Sequence, residues 1–367
     1  LCNQASVTSK LRPVPEELMQ IGAQIVCLFS PQHGFFSEKQ ANMIESDHTI
    51  HPKLRVPIFS LYGEHRSPTP EMLNFIDVLL VDIQDVGTRV YTYATTMGLF
   101  LEALSGLDKK VVVLDRPNPI GGSKVEGNIV EREFRSFVGR YSLPMRHGLT
   151  MGELARWIVM EKGLDVDLTV ITMDLWSRNS EFPETGLPWV FPSPNMPSWE
   201  TALLYPSTVL LEGTNVSEGR GTTLPFAVVG APFINPYDCI ESWGVKRLEE
   251  YGVFLRPVVF EPVYDKWSGK ACGGFQIHII DKVRWKPYKF GLELLQKLMT
   301  LYPNDFRWLD PPYEYEWEKR PIDILIGSSR IRKALEAGVK IDELEFKWQV
   351  EVEEYLQRRE DVLLYSD

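Results

Sequence analysis

Residues 78–93 read VLLVDIQDVGTRVYTY, and the reading of this stretch decides the fold. Residues 78–82 are a short apolar run ending on an aspartate, the pattern of a strand buried on both faces. A polar loop, Ile83-Gln84-Asp85-Val86-Gly87-Thr88-Arg89, follows, and a helical pattern runs from Tyr93 to Ser105. Strand, polar turn and helix make the repeating unit of a parallel α/β sheet. Working outward, further strands are expected at 25–30 (IVCLFS), 58–62, 111–115 (VVVLD) and 168–173 (LTVITM), with helices at 16–22 and 152–162. Thr150 stands where an N-cap of the 152–162 helix belongs, and Glu153 completes a capping box.

In such sheets ligands bind outside the carboxyl ends of the strands. The residues expected there are Pro31-Gln32-His33-Gly34, Gly63-Glu64-His65-Arg66, the 83–87 loop and Asp115-Arg116-Pro117-Asn118-Pro119. They form a polar, charged rim. His33 can move protons or bind a hydroxyl; a hydrogen bond to backbone is its structural alternative. Arg89 has the planar fork that clamps a carboxylate, or else it neutralises Asp85. Tyr91 and Tyr93 lie beside it. The prolines around Arg116 and Asn118 stiffen their turn. Arg146-His147-Gly148 precedes the capped helix, near its positive end. Residues 191–197 (FPSPNMP) make a stiff loop with one amide, Asn195, as a hydrogen-bonding finger or a plain turn.

A second dense stretch is 211–223, LEGTNVSEGRGTT, with Glu212, Asn215, Glu218 and Arg220. Its flanks, LLYPSTVL and LPFAVVGAP, read as buried strand and turn. So much charge beside a core is costly without partners or a ligand. The loop is either internally salt-bridged or equipped for acid–base chemistry on a polar substrate. Beyond residue 230 the texture changes: a helix over 236–251, an alternating aromatic-rich stretch over 256–280, a helix over 288–302 and a charged helical end near Leu356. The expected organisation is a parallel α/β domain over 1–230 and a smaller α+β domain over 231–367.

With 367 residues, 44% hydrophobic and 24% charged, the chain has the composition of a soluble globular protein. A net charge of −11 argues against a general nucleic-acid surface. No apolar run is long enough to span a bilayer. Cys2, Cys27, Cys239 and Cys272 lie too far apart for zinc spacing or a disulfide scaffold. The chain starts at Leu1, so an exported protein after signal removal and a cytoplasmic one both stay open. G-x-G-x-x-G, Walker A, H-E-x-x-H and G-x-S-x-G signatures are all absent. Carboxylate and histidine chemistry with arginine clamps remains.

The ordered blocks LCNQAS, SPQHGF, PIFSLYGE, DIQDVGTRVYTY, DRPNPIGG, VEG, RHGLTMGELA, PSPNMP, EGTNVSEGRGTTLPF, GAPF and CGGFQIH resemble the DUF1343 family, the exo-β-N-acetylmuramidases called NamZ. The resemblance runs nearly end to end. It implies a Rossmann-like N-terminal domain, a smaller C-terminal domain, and release of terminal non-reducing N-acetylmuramic acid from peptidoglycan fragments, with no metal or organic cofactor. Muramyl saccharides are then the partner, and oligomeric state is left open. One position departs from the family pattern. Where Pro-Glu-His-Gly is usual, this chain has Gln32, and an amide neither donates nor accepts a proton in catalysis.

Acid–base roles are therefore assigned to Glu218 and Glu64, with Glu212 close behind and His33 assisting. Gln32, Asp85, Arg89, Tyr93, Asp115, Arg116, Asn118, His147, Asn195, Asn215 and Arg220 are expected to bind the sugar. A catalytically weakened carbohydrate-binding or sensing protein is the rival reading, motivated by Gln32. A hydrolase or transferase acting on another acidic sugar is the third.

Overall fold

The computed structural model describes residues 1–41 and 43–367. Two compact units emerge: Leu1–Lys124, His147–Trp199 and Tyr355–Asp367 form the first, and Val125–Arg146 with Glu200–Glu354 the second.

The first unit holds β1 (Leu28–Ser30), β2 (Thr49–Ile50), β3 (Pro57–Ser60), β4 (Val78–Val81), β5 (Lys110–Leu114) and β6 (Asp167–Ile171). β1 pairs with β3 in parallel, β2 closes that edge antiparallel, and β4, β5 and β6 pair in parallel. Residues 1–3 join the two groups. The Leu1 nitrogen donates to Leu80 O at 2.6 Å, Cys2 N–H to Phe29 O at 3.0 Å, and Asp82 N–H to Leu1 O at 2.9 Å. In space the parallel strands therefore run β3, β1, residues 1–3, β4, β5, β6. Counted along the chain, that is third, second, first, fourth, fifth, sixth, the doubly wound order.

Helices α1 (Val14–Gln20), α2 (Pro70–Leu73), α3 (Tyr93–Leu104) and α4 (Met151–Lys162) belong to this unit. α3 is apolar nearly all round, from Tyr93 to Leu104, as a helix enclosed by core must be. α4 starts with the expected capping box: Thr150 Oγ1 accepts from Glu153 N–H at 3.2 Å, and Glu153 Oε2 accepts from Thr150 N–H at 3.0 Å. The other Glu153 oxygen meets Arg178 Nη1 at 2.7 Å, so this fully buried carboxyl group has a cation beside it.

The second unit contains α5 (Trp199–Thr208, from its second residue), β7 (Val228–Ala231), α6 (Pro236–Glu241), α7 (Val245–Tyr251), β8 (Val253–Phe260), β9 (Cys272–Ile279), α8 (Pro287–Leu301), α9 (Pro321–Ile326), α10 (Ser329–Glu336) and most of α11 (Ile341–Arg359). Its sheet is antiparallel, with β9 between β7 and β8. Three expectations are corrected here. LLYPSTVL is helix α5 and a following 3-10 turn, not strand, because an element buried on every side shows no period that separates the two. The boundary near 230 falls inside the second unit, since β7 pairs with β9. The 236–251 helix is two helices, broken where Gly244 takes a left-handed φ of 69°.

Glu126 closes the start of α8, accepting the Lys289 N–H at 2.8 Å. Burial pushes its carboxyl from 4.5 up to about 7, against the Lys289 and Tyr288 N–H groups and the Arg146 charge. The folded state thus binds this proton more tightly than the unfolded chain. That stabilisation is fully present below pH 4.5 and is lost as the pH rises through about 7. In Glu126→Gln, urea-unfolding free energies should lose the part of the decline between these pH values that the wild type shows; parallel pH curves for the two proteins would refute the assignment.

Candidate active site

In the first unit the segment after β1 turns through two left-handed residues, His33 at φ 77° and Gly34 at φ 83°. For a histidine that conformation costs about 1–3 kcal/mol and persists only where neighbours impose it. The neighbours are visible. His33 Nδ1 lies 2.7 Å from Lys39 O, and because a carbonyl only accepts, Nδ1 carries the proton. Gln32 Oε1 accepts from Thr92 Oγ1 at 2.8 Å. Next along the chain, Tyr93 OH donates to Pro192 O at 2.6 Å and accepts from Asn3 Nδ2 at 3.1 Å. Pro192 O also accepts from Asn3 Nδ2 at 2.9 Å and Ser37 Oγ at 3.1 Å. One carbonyl thereby ties the N-terminal segment, the post-β1 loop, the start of α3 and the FPSPNMP loop together. Asn195 anchors the same loop through Gln40 O at 2.9 Å. Burial raises the Tyr93 hydroxyl far above its usual range, so it serves as a neutral donor.

Asp85 and His147 come together as a buried pair. Asp85 Oδ2 accepts from Gly87 N–H at 2.6 Å and lies 3.3 Å from His147 Nε2. His147 Nδ1 accepts from Leu149 N–H at 3.1 Å, which places the ring proton on Nε2, facing the carboxylate. Asp85 Oδ1 is buried and has no hydrogen-bond partner among the described residues. Such an oxygen is costly unless water or a ligand meets it. Gly87 makes the close approach possible: with φ 78°, a Cβ there would stand 2.4 Å from Asn118 Oδ1. Asn118 itself is spent on the turn, donating to Leu149 O at 3.0 Å and accepting from Ile120 N–H at 3.2 Å.

Asp115 and Arg116 sit at the end of β5. Asp115 accepts from Thr150 Oγ1, Gly152 N–H and Tyr365 OH, each at 2.7 Å. Burial nonetheless raises its pKa against these bonds. Arg116 pairs through Nε with Asp82 and donates from Nη2 to Val7 O at 3.0 Å. Both line a cavity of about 490 Å³ beside the ends of β4, β5 and β6, where the topology calls for a crevice. Arg89 is buried. Glu64 is placed otherwise than its assigned role requires: 83% of its side chain is exposed, 3.7 Å from His65 Nε2.

In the second unit the 211–223 loop is a buried ion network. Arg220 Nη1 lies 2.6 Å from Glu212 Oε1 and 3.0 Å from Glu218 Oε1, with its guanidinium 4.8 Å from the centre of the Phe226 ring. Lys266 Nζ holds Glu218 Oε2 at 2.9 Å, and Tyr313 OH donates to Glu212 Oε2 at 2.6 Å. Burial works against the Glu218 charge, but Lys266 and Arg220 outweigh it and keep the carboxyl below its ordinary range. With both oxygens on cations, Glu218 is neither a proton donor nor an available base. Asn215 is a structural amide, donating to Asp305 O at 2.8 Å and accepting from Arg307 N–H at 2.9 Å.

Sequence reading missed Lys266 and Tyr313, which complete this network. The only trace was Asp265-Lys266 interrupting an apolar alternation. The Pro192 carbonyl left no trace, because backbone groups carry no sequence signal.

The fold is that of a two-domain α/β protein with a candidate acid–base pair, Asp85 and His147, buried in its first unit. The chain belongs to the exo-β-N-acetylmuramidase NamZ family, whose N-terminal domain matches residues 1–200 and whose C-terminal domain matches residues 203–365. It is 40% identical to the peptidoglycan β-N-acetylmuramidase NamZ of Bacillus subtilis over 366 residues, covering 100% of this chain and 86% of that protein. Crystal structures of two DUF1343 family proteins of Bacteroides fragilis superpose on it with TM-scores of 0.87 and 0.78, at 31% and 30% identity, covering all of this chain and 93% of each of theirs.

Arg220→Met should cost about 3–5 kcal/mol in chemical denaturation at pH 7, because buried Glu212 and Glu218 lose the cation they share, Glu218 keeping only Lys266. Since Glu218 sits below its usual 4.5 in the folded state, the wild type's advantage holds above that pH and shrinks as the pH falls through the lowered pKa. A loss that stays the same at pH 3 and pH 7 would refute this account.

Proposed function

We propose that this protein is an exo-acting glycoside hydrolase releasing terminal non-reducing N-acetylmuramic acid from peptidoglycan fragments. The observation that carries the reading is identity of 40% along the entire chain with the Bacillus subtilis enzyme, with both halves of the family present. The site chemistry supports it. Muramic acid bears a lactyl carboxylate, and Arg116, which lines the cavity at the ends of β4, β5 and β6 while paired with Asp82, brings a guanidinium to that crevice; Arg220 lies in the other unit, between Glu212 and Glu218. Asp85, fixed by Gly87 and His147 through one oxygen, turns a second oxygen to accept from a substrate N–H, a hydroxyl or a water. Gln32 orients a water or the acetamido group; as an amide it takes no part in proton transfer.

The test is release of N-acetylmuramic acid from a muramyl-glucosamine disaccharide and from a chromogenic muramide. Asp85→Asn should lower kcat/KM by about 10²–10⁴-fold, the usual span for a group acting on a reacting proton or atom. Wild-type turnover supports the hydrolase reading. Binding of the disaccharide by calorimetry without turnover, with activity appearing in Gln32→Glu, would replace it with that of a binding protein.

A further inference from the structure

The cavity of about 490 Å³ at the ends of β4, β5 and β6 lies wholly within the first unit, and three polar groups of its lining are left unspent by the fold. Asp82 engages Arg116 through Oδ1, whereas its Oδ2 is buried without a hydrogen-bond partner among the described residues. Trp176 is 8% exposed, and its Nε1–H is likewise buried with no acceptor among them. Arg116 spends Nε on Asp82 and Nη2 on Val7 O, and makes no hydrogen bond from Nη1 among the described residues. Buried polar atoms of this kind are costly unless water or a ligand meets them. Leu114, Met173 and Leu187 give the same cavity apolar wall. The Trp176 indole is held in place. The turn after β6 is tied to the C-terminal tail, Met173 N–H donating to Tyr365 OH and Arg178 N–H to Ser366 O, both at 3.0 Å. The indole meets the Tyr365 ring edge-on, centroids 5.0 Å apart. Gly122 admits it closely, since a Cβ there would stand 3.1 Å from the indole. Leu175, the residue before it, takes a left-handed φ of 62°. A leucine keeps that conformation only where neighbours impose it, and such strain gathers at ligand sites.

We propose that this crevice is the subsite for the acetamido group of N-acetylmuramic acid, read by Trp176 and Asp82. The assignment deepens the hydrolase reading above and rests on it. Small-molecule sites are mostly apolar pockets with a few convergent polar groups that fix orientation. An acetamido group matches this set. Its carbonyl accepts from the Trp176 Nε1–H, its N–H donates to Asp82 Oδ2, and its methyl meets the apolar wall. Asp82 and Arg116 balance each other's charge, so a neutral amide suits the pair. The lactyl ether stands on the adjacent ring carbon of the sugar, and Arg116 Nη1 is in the same cavity to meet its carboxylate. One pocket thereby reads the two substituents that define the sugar. Gln32 is then left to orient the water.

Trp176→Phe keeps a ring against Tyr365 and removes the N–H donor. In indole N–H NMR spectra the Trp176 signal, identified by its loss in Trp176→Phe, should move on saturation with N-acetylmuramic acid. It should stay in place with muramic acid, which has the same lactyl group and an amine instead of the amide. By calorimetry Trp176→Phe should bind N-acetylmuramic acid about threefold to tenfold more weakly, the worth of one hydrogen bond, and muramic acid unchanged. KM for the muramyl-glucosamine disaccharide should rise by the same factor. A merely structural role would weaken both ligands alike. Equal weakening of both, or a Trp176 signal that N-acetylmuramic acid leaves in place, overturns the subsite; turnover of the disaccharide by the wild type then keeps the hydrolase reading. A shifted signal in a chain without turnover supports the subsite and overturns the hydrolase reading. Neither binding nor turnover overturns both.

Discussion

Every buried charge in this protein has to be met by an opposite charge or by donors, and that requirement shapes both units. Arg220 lies between Glu212 and Glu218, and removing it would take a shared cation from two buried carboxylates. Arg178 does the same for Glu153 at the start of α4, and Arg116 for Asp82 at the end of β4. Asp115, with no cation paired to it among the described residues, takes three donors at 2.7 Å instead. The loops run where they do because these partners must be brought to them.

That requirement also sorts the acidic residues. A carboxylate whose oxygens are all engaged holds the fold and is unavailable to a substrate. Glu212, Glu218 and Glu153 belong to this group. Asp85 differs, with one oxygen fixed by Gly87 and His147 and the other without a partner among the described residues. Chemistry belongs to the groups that the architecture leaves unspent.

Much of the architecture was legible in residue order. The apolar runs ending in aspartate at 82 and 115 became parallel strands with the polar rim at their carboxyl ends, and Thr150 with Glu153 formed the capping box. LLYPSTVL was read as strand because full burial removes the periodicity that distinguishes a helix. Gln32, His33, Asp85 and Asn118 were singled out from strand ends, and His147 from its place just before the capped helix. Glu64 satisfied the same rule and still points into solvent, since a strand-end position fixes where the backbone lies and not what faces a side chain.

The amino-acid sequence by itself determined the family, the alternation of buried strands and capped helices, and the kinds of group available for chemistry. Local pattern suffices for these, because strand burial, caps and glycine turns act over a few residues. Tertiary structure alone decided which carboxylates are spent and which are not. Glu212 meets Tyr313 across 101 positions of chain, and Glu218 meets Lys266 across 48. The EGTNVSEGRGT loop could be read as either a site or a salt bridge from its own residues. Its carboxylates take partners from lysine and tyrosine groups far along the chain, and only folding brings them within 3 Å.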